Sequence, residues 1–219
     1  MKKALLWDLF WLLVFSLAVG FLVFVGSCEV IAEPAPHSDG VLVDTLVSML
    51  LETPVAAPAD GSVETAAERD ARLERIAFDV VGAAVLVDAG HPERVEDDAL
   101  LLLAVAQHES SFERTVDVGP CWRGTDGRSE RCDSGHAATM WQLHASPERQ
   151  AAFLADRELA AEVALRALHR GRLENCPQEP FAGYAGGNCY RGVKGSRELV
   201  EAWNRWKQRY AEAVARGDQ

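Results

Sequence analysis

The sequence predicts an all-α domain, on three observations. Apolar residues recur at three- and four-residue steps over long stretches, eight consecutive apolar residues run from Ala99 to Ala106, and no segment alternates convincingly with a period of two. No internal repeat or low-complexity tract interrupts the pattern. The 219 residues leave room for one domain of the common size, about 150 residues, plus an N-terminal segment outside it. A formal charge of −11 and a pI near 5.0 argue against nucleic acid as a partner, because phosphate binding draws on an excess of Lys and Arg.

The first segment is an export or membrane signal. Lys2 and Lys3 precede a nearly continuous apolar run over residues 4–25, broken only by Asp8 and a few small residues. Positive charge before such a run predicts a cytoplasmic N-terminus, so the rest of the chain is expected in the cell envelope, outside the cytoplasm. Leu9 to Val25 supplies 17 uncharged residues, near the minimum for a span and more than a signal core needs, so length does not separate cleavage from retention. Val25, Gly26, Ser27 and Cys28 resemble a lipobox, which implies lipidation at Cys28. An uncleaved anchor and ordinary secretion are the alternatives.

Five cysteines stand at 28, 121, 132, 176 and 189. Assigning Cys28 to a lipid leaves an even four for disulfides in an oxidising compartment. Of the three connectivities, the sequence-local pairs Cys121 with Cys132 and Cys176 with Cys189 are favoured. Each closes a short loop, worth about 2–4 kcal/mol by chain entropy.

Residues 29–61 carry Pro34, Pro36, Pro54 and Pro58 and read as a tether, within which Val41 to Glu52 is apolar enough for a short helix that could dock on the domain. The domain itself is expected over residues 62–216. From Glu64 a helical stripe of Leu73, Ile76, Ala77, Val80, Val81 and Ala84 runs until Gly90 and Pro92 stop it. The segment from Glu96 to Gln107 is apolar all round, as a buried central helix must be. Ser110 to His136, with Gly119, Pro120, Gly124, Gly127 and Gly135, reads as a long loop. Ser146 and Pro147 form a helix start and Gly171 a stop, over one helix or two broken near Asp156. A final helix over Ser196 to Val214 places Leu199, Trp203, Trp206, Tyr210 and Val214 on one stripe, which is core packing rather than a sugar platform.

Glu109 directly follows the buried helix. A carboxyl group there, walled by residues such as Phe112, loses hydration of its charged form, so a raised pKa and proton donation near neutral pH are expected. On position alone, a helix-terminal glutamate facing water is the simpler account. Glu109, Ser110, Ser111 and Phe112, however, resemble the opening of the lytic transglycosylase signature. Gly135, His136, Ala137, Ala138, Thr139, Met140, Trp141, Gln142 and Leu143 are similar to its Gly- and Ala-containing turn with a following Gln. Gly183, Tyr184, Ala185, Gly186 and Gly187 look like its third block, and the three together span about half the chain.

The resemblance implies a lysozyme-like domain, with long disulfide-stapled loops, that cleaves the bond between muramic acid and glucosamine in peptidoglycan. Glu109 would act as acid and then base, leaving a 1,6-anhydro ring. Gln142 would line the sugar cleft and Tyr184 would support the catalytic carboxyl. Trp141 would pack the cleft wall or touch substrate, and Ser110 would orient the muramic side or cap the helix. No metal or other cofactor is implied. Gln142 stands 33 residues after Glu109, farther than in the family, and the excess coincides with the Cys121–Cys132 segment. Thr139 replaces the usual Gly and Ala185 the usual Asn.

Four other readings follow from the same residues. Asp117, Asp126 or Asp133 could serve as the second carboxylate of a hydrolase, which inversion would need about 6.5–9.5 Å away, although Asp is also an ordinary loop former. A zinc peptidase built on His108 and Glu109 needs histidine where Phe112 stands, and His136 and His144 are poorly spaced. A Cys-His peptidase would need a free thiolate at Cys121 or Cys132 beside His136. A non-enzymatic glycan-binding or envelope scaffold protein is the alternative that the Thr139 and Ala185 departures motivate.

Overall fold

The structure is a computed structural model that describes residues 38–58, 61–118, 122–125, 128–131, 137–171, 176, 179–186 and 189–217. They fall in one compact unit, His37–Gln219. The apolar run over residues 4–25, Cys28, Cys121 and Cys132 lie outside the described residues. Among those described, no helix is long and apolar enough to cross a membrane.

The all-α expectation holds in its main feature, for the unit is mostly helical. Helix α1 is Ser38–Leu51, α2 Ala66–Val87, and a 3₁₀ turn at Pro92–Arg94 leads into α3, Val95–Ser110. A short α4, Arg114–Asp117, precedes strands β1, Trp122–Thr125, and β2, Arg128–Arg131. Strands β3, Ala137–Ala138, and β4, Leu143–His144, follow. Then come α5, Pro147–Ala155, α6, Arg157–Arg170, α7, Ala182–Gly186, and α8, Val193–Gly217.

Helix α3 is the centre. Every residue from Ala99 to Ala106 is at most 1% exposed, so no face of the helix meets solvent there. Helices α2, α6 and α8 pack around it. Each presents the apolar stripe its sequence carries: Leu73, Ile76 and Val80 from α2, Ala161, Ala164 and Leu168 from α6, and Leu199, Trp203 and Trp206 from α8. The two indole nitrogens that α8 brings into this packing are paired. Trp203 Nε1 donates to the Asp97 carbonyl at 3.0 Å, and Trp206 Nε1 to Gln107 Oε1 at 2.9 Å.

Local chemistry sets the helix limits. Thr65 and Glu68 form a reciprocal capping box that starts α2, satisfying amide donors that have no partner within the helix. Of the two possibilities for residues 147–171, the structure has two helices. Asp156 ends α5 in an extended conformation, and its carboxylate accepts from the Leu159 amide to cap α6.

Two sequence expectations change. Residues 38–51, expected within the tether, belong to the globular unit: Leu42, Val43, Leu46, Met49 and Leu50 are buried in the common core. Arg209 on α8 holds the end of α1, donating to the Met49 carbonyl at 2.8 Å and to Thr53 Oγ1 at 2.9 Å. The boundary expected at residue 62 therefore lies inside the unit. The long loop after Ser110 also has structure, since β1 and β2 pair antiparallel from Trp122 opposite Arg131 to Thr125 opposite Arg128. Short strands with glycines around them carry too little periodicity to be seen in advance.

Helix α7 packs on the start of α8 almost backbone to backbone. A Cβ on Gly192 would fall 1.9 Å from the Ala182 carbonyl oxygen, and one on Gly186 would fall 2.5 Å from the Gly192 amide nitrogen. The Cys176–Cys189 disulfide, present as expected, closes the chain around this contact. Gly192→Ala is therefore expected to destabilise the protein by about 1–3 kcal/mol, as overpacking does. A fall in the thermal midpoint of roughly 2–4 °C per kcal/mol would register it, whereas an unchanged midpoint would contradict the close approach.

Candidate functional site

Glu109 lies in the last turn of α3 and is half-buried. The helix stops one residue after Ser110 because Ser111 adopts a left-handed conformation, φ 49°, and Phe112 follows at φ 55°. Ser110 holds this reversal together. Its hydroxyl donates to the Ala106 carbonyl at 2.6 Å and accepts from the Phe112 amide at 3.1 Å, which gives it the helix-end role. The Phe112 ring is fully buried edge-on against Trp206, with centroids 6.2 Å apart.

A buried ion network fixes the far side of this turn. Arg72 donates to the Phe112 carbonyl at 3.0 Å while its Nε and Nη2 grip Glu64 at 2.7 and 2.9 Å. Asp117 takes two bonds from Arg157, at 2.8 and 2.9 Å, and lies 3.5 Å from Arg72. This carboxylate, 4% exposed and held by two guanidinium groups, is not placed to activate a water. Asp126 and Asp133 lie outside the described residues. Sequence reasoning passed over Glu113, which is buried and receives the Thr115 hydroxyl at 2.5 Å.

The second block forms a tight turn between β3 and β4, whose pairing sets Ala137 opposite His144 and Ala138 opposite Leu143. Thr139 and Gln142, at the two ends of that turn, are left-handed at φ 64° and φ 50°. The backbone at 139 thus adopts the conformation that favours glycine, in the position where the resembling family carries one. Gln142 is half-buried, and its Nε2 donates to the Thr139 carbonyl at 3.1 Å. Trp141 is wholly buried, and its indole nitrogen donates to the Leu102 carbonyl at 3.1 Å. It packs the wall and offers no ring face to a glycan, so a substrate contact through its side chain is withdrawn. Leu102 lies two turns before Glu109 on the same face of α3, so this bond fastens the turn alongside the glutamate.

The third block arrives through α7. The Tyr184 hydroxyl donates to the Trp141 carbonyl at 2.5 Å. Burial, and then the negative charge of Glu109, push the phenol well above its usual range, so it remains protonated. The residue before Gln142 is thereby bonded to Tyr184, and the Glu109 charge reaches that phenol. His108 and His144 are both exposed. An apolar groove of about 410 Å³ lined by Gly40, Val43, Asp44, Phe78, Val81, Gly82 and Val85 includes none of the site residues.

Among the described residues, Ser111, Phe112, Thr139 and Gln142 are the non-glycine residues with positive φ, and all four lie in the two segments that flank the site. Conformations of this kind cost about 1–3 kcal/mol each and concentrate at functional sites. At Thr139, β-branched and 2% exposed, the hydroxyl also has no hydrogen-bond partner. Thr139→Gly removes both penalties against a glycine entropy cost of about 0.5–1 kcal/mol, so it is expected to stabilise the fold by about 1 kcal/mol or more. Urea unfolding reads this directly, and a loss of stability would contradict the strained assignment. No protein-family model, curated protein or solved structure matches the chain.

Proposed function

We propose that the chain is a lytic transglycosylase of the lysozyme-like kind, acting on peptidoglycan outside the cytoplasm from an N-terminal lipid or membrane anchor. The observation that carries this reading is convergence. Three pieces far apart in sequence are tied to one buried helix: Glu109 in its last turn, the strained turn from Thr139 to Gln142 fastened through Trp141 to Leu102, and Tyr184 bonded to that turn and close enough to feel the Glu109 charge. These are the three blocks in which the sequence resembles the family.

In the proposed reaction Glu109, as the neutral acid, gives its proton to the glycosidic oxygen as the bond from muramic C1 breaks. The C6 hydroxyl oxygen of the same muramic residue then bonds to C1, and its proton returns to Glu109. No water is consumed, and one carboxyl group serves both steps. A second carboxylate is not required, in keeping with Asp117 being bound by Arg72 and Arg157. Tyr184, whose hydroxyl proton is committed to the Trp141 carbonyl and whose phenol feels the Glu109 charge, would help fix the surroundings of that carboxyl group. Gln142 would line the cleft beside them.

Glu109→Gln is expected to lower peptidoglycan cleavage about 100-fold or more, the scale of general acid catalysis, without lowering the thermal midpoint. Clearing that survives the substitution would end the acid-base assignment. Mass spectrometry of the digest distinguishes the chemistries: anhydro-muramic ends are expected, reducing ends alone would point to a hydrolase, and no clearing by the wild type would point to a glycan-binding role. Tyr184→Phe removes one buried hydrogen bond and should slow turnover by about tenfold. It should also move the alkaline limb of the pH profile, which is set by loss of the Glu109 proton and which a purely structural loss would leave in place.

A further inference from the structure

Asp88, Asp98 and His169 are brought together at the opposite end of α3. Asp88 caps the C-terminus of α2, Asp98 lies in the first turn of α3, and His169 lies in the last turn of α6. One ligand atom from each, a carboxylate oxygen or an imidazole nitrogen, lies within 4.8 Å of the other two. Nε2 of His169 stands 2.6 Å from Asp98 Oδ2. Asp88 and Asp98 are 4% and 3% exposed.

Two buried carboxylates face one another, and His169 and Arg94 are cationic groups that act on Asp88. Burial, then the hydrogen bond and the charge of Asp98, push Asp88 up to about 6. Its Oδ2 has no hydrogen-bond partner, although the residue is over nine-tenths buried. A buried carboxylate oxygen without a donor is costly unless a proton or a metal occupies the space before it.

We infer that Asp88, Asp98 and His169 form a binding site for one divalent cation of the zinc class, which staples the ends of α2, α3 and α6. The donor set selects the metal. An imidazole with two carboxylates suits Zn²⁺, whereas Ca²⁺ takes six to eight oxygens and Mg²⁺ keeps octahedral oxygen ligands. Ligand atoms sharing a zinc at about 2.0–2.1 Å stand roughly 3.3 Å apart, so His169 Nε2 and Asp98 Oδ2 would open slightly from 2.6 Å and the widest pair, within 4.8 Å, would close by about 1.5 Å at most. The His169 side chain, 24% exposed, gives the ion a path in. Eleven residues separate Asp98 from Glu109, about 16 Å along the helix, so the ion would be structural and not part of the glycan chemistry.

The test uses the full chain, purified in detergent without a histidine tag, oxidised, with remaining thiols alkylated and metals removed by EDTA. Equilibrium dialysis against ZnCl₂ should give one zinc per chain. At zinc about 100 times its dissociation constant the thermal midpoint should rise by about 5–10 °C, and equal MgCl₂ or CaCl₂ should leave it unchanged. Asp88→Asn, which keeps the shape, and His169→Gln, at a partly exposed position, should each lose the bound zinc and the shift. Absence of stoichiometric zinc in the wild type would overturn the site, as would the same uptake in both variants. A metal-free Asp88→Asn variant more stable than a wild type that takes no zinc would identify a shared proton instead, and would also overturn it.

Discussion

The constraint on which the rest of the structure depends is that α3 has no polar face. Eight successive residues without a side chain that can meet water force the chain to enclose the helix on every side, and α2, α6 and α8 do so with their apolar stripes. Burial of this area is the main favourable term in the fold, at about 25 cal/mol per Å² removed from water. It also dictates where polar chemistry can occur. A side chain that needs solvent, a proton or a partner can stand only at the two ends of the helix, and both clusters described above stand there.

The C-terminal end is shaped by backbone strain that neighbouring contacts hold in place. Left to itself, a chain leaving α3 would not adopt two left-handed residues in succession, one of them a phenylalanine. Burial of the Phe112 ring against Trp206, the Ser110 hydroxyl on its amide and Arg72 on its carbonyl together outweigh that preference. The opposing turn is held similarly, by the Trp141 indole on the Leu102 carbonyl and by Tyr184 on the Trp141 carbonyl. Each bond ties a backbone group to a distant element, and the enclosing glycines of α7 and α8 allow Tyr184 to come close enough. The strain is thus local while its support is distributed over α2, α6, α7 and α8.

Much of this was legible in the sequence where one residue type has one physical consequence. The run from Ala99 to Ala106 admits only a buried helix, and Ser146 with Pro147 admits a helix start. The parts that were not legible depend on tertiary context. Prolines flanking residues 38–51 suggested a tether while its leucines and valines suggested a helix able to dock, and only the fold shows that α2 and α8 cover them. Trp141 looked able to touch sugar until its indole proved committed to a carbonyl inside the protein. Asp117 looked like a free loop acid, and only folding brings Arg72 and Arg157 onto it from 45 and 40 residues away. Asp88, Asp98 and His169 carry no motif at all, because three helices of unrelated sequence supply one residue each.

The two ends of α3 also differ in a way that bears on what each can hold. Aligned peptide dipoles place partial positive charge at the N-terminus and partial negative charge at the C-terminus. At the N-terminal end Glu96, Asp97 and Asp98 stand in the first turn, where the dipole favours anions. An ionised Asp98 is therefore well supported there, and a second carboxylate facing it is what calls for a cation. At the C-terminal end the dipole opposes negative charge, and Glu109 stands in that last turn. The same helix thus favours a carboxylate's charge at one end and disfavours it at the other.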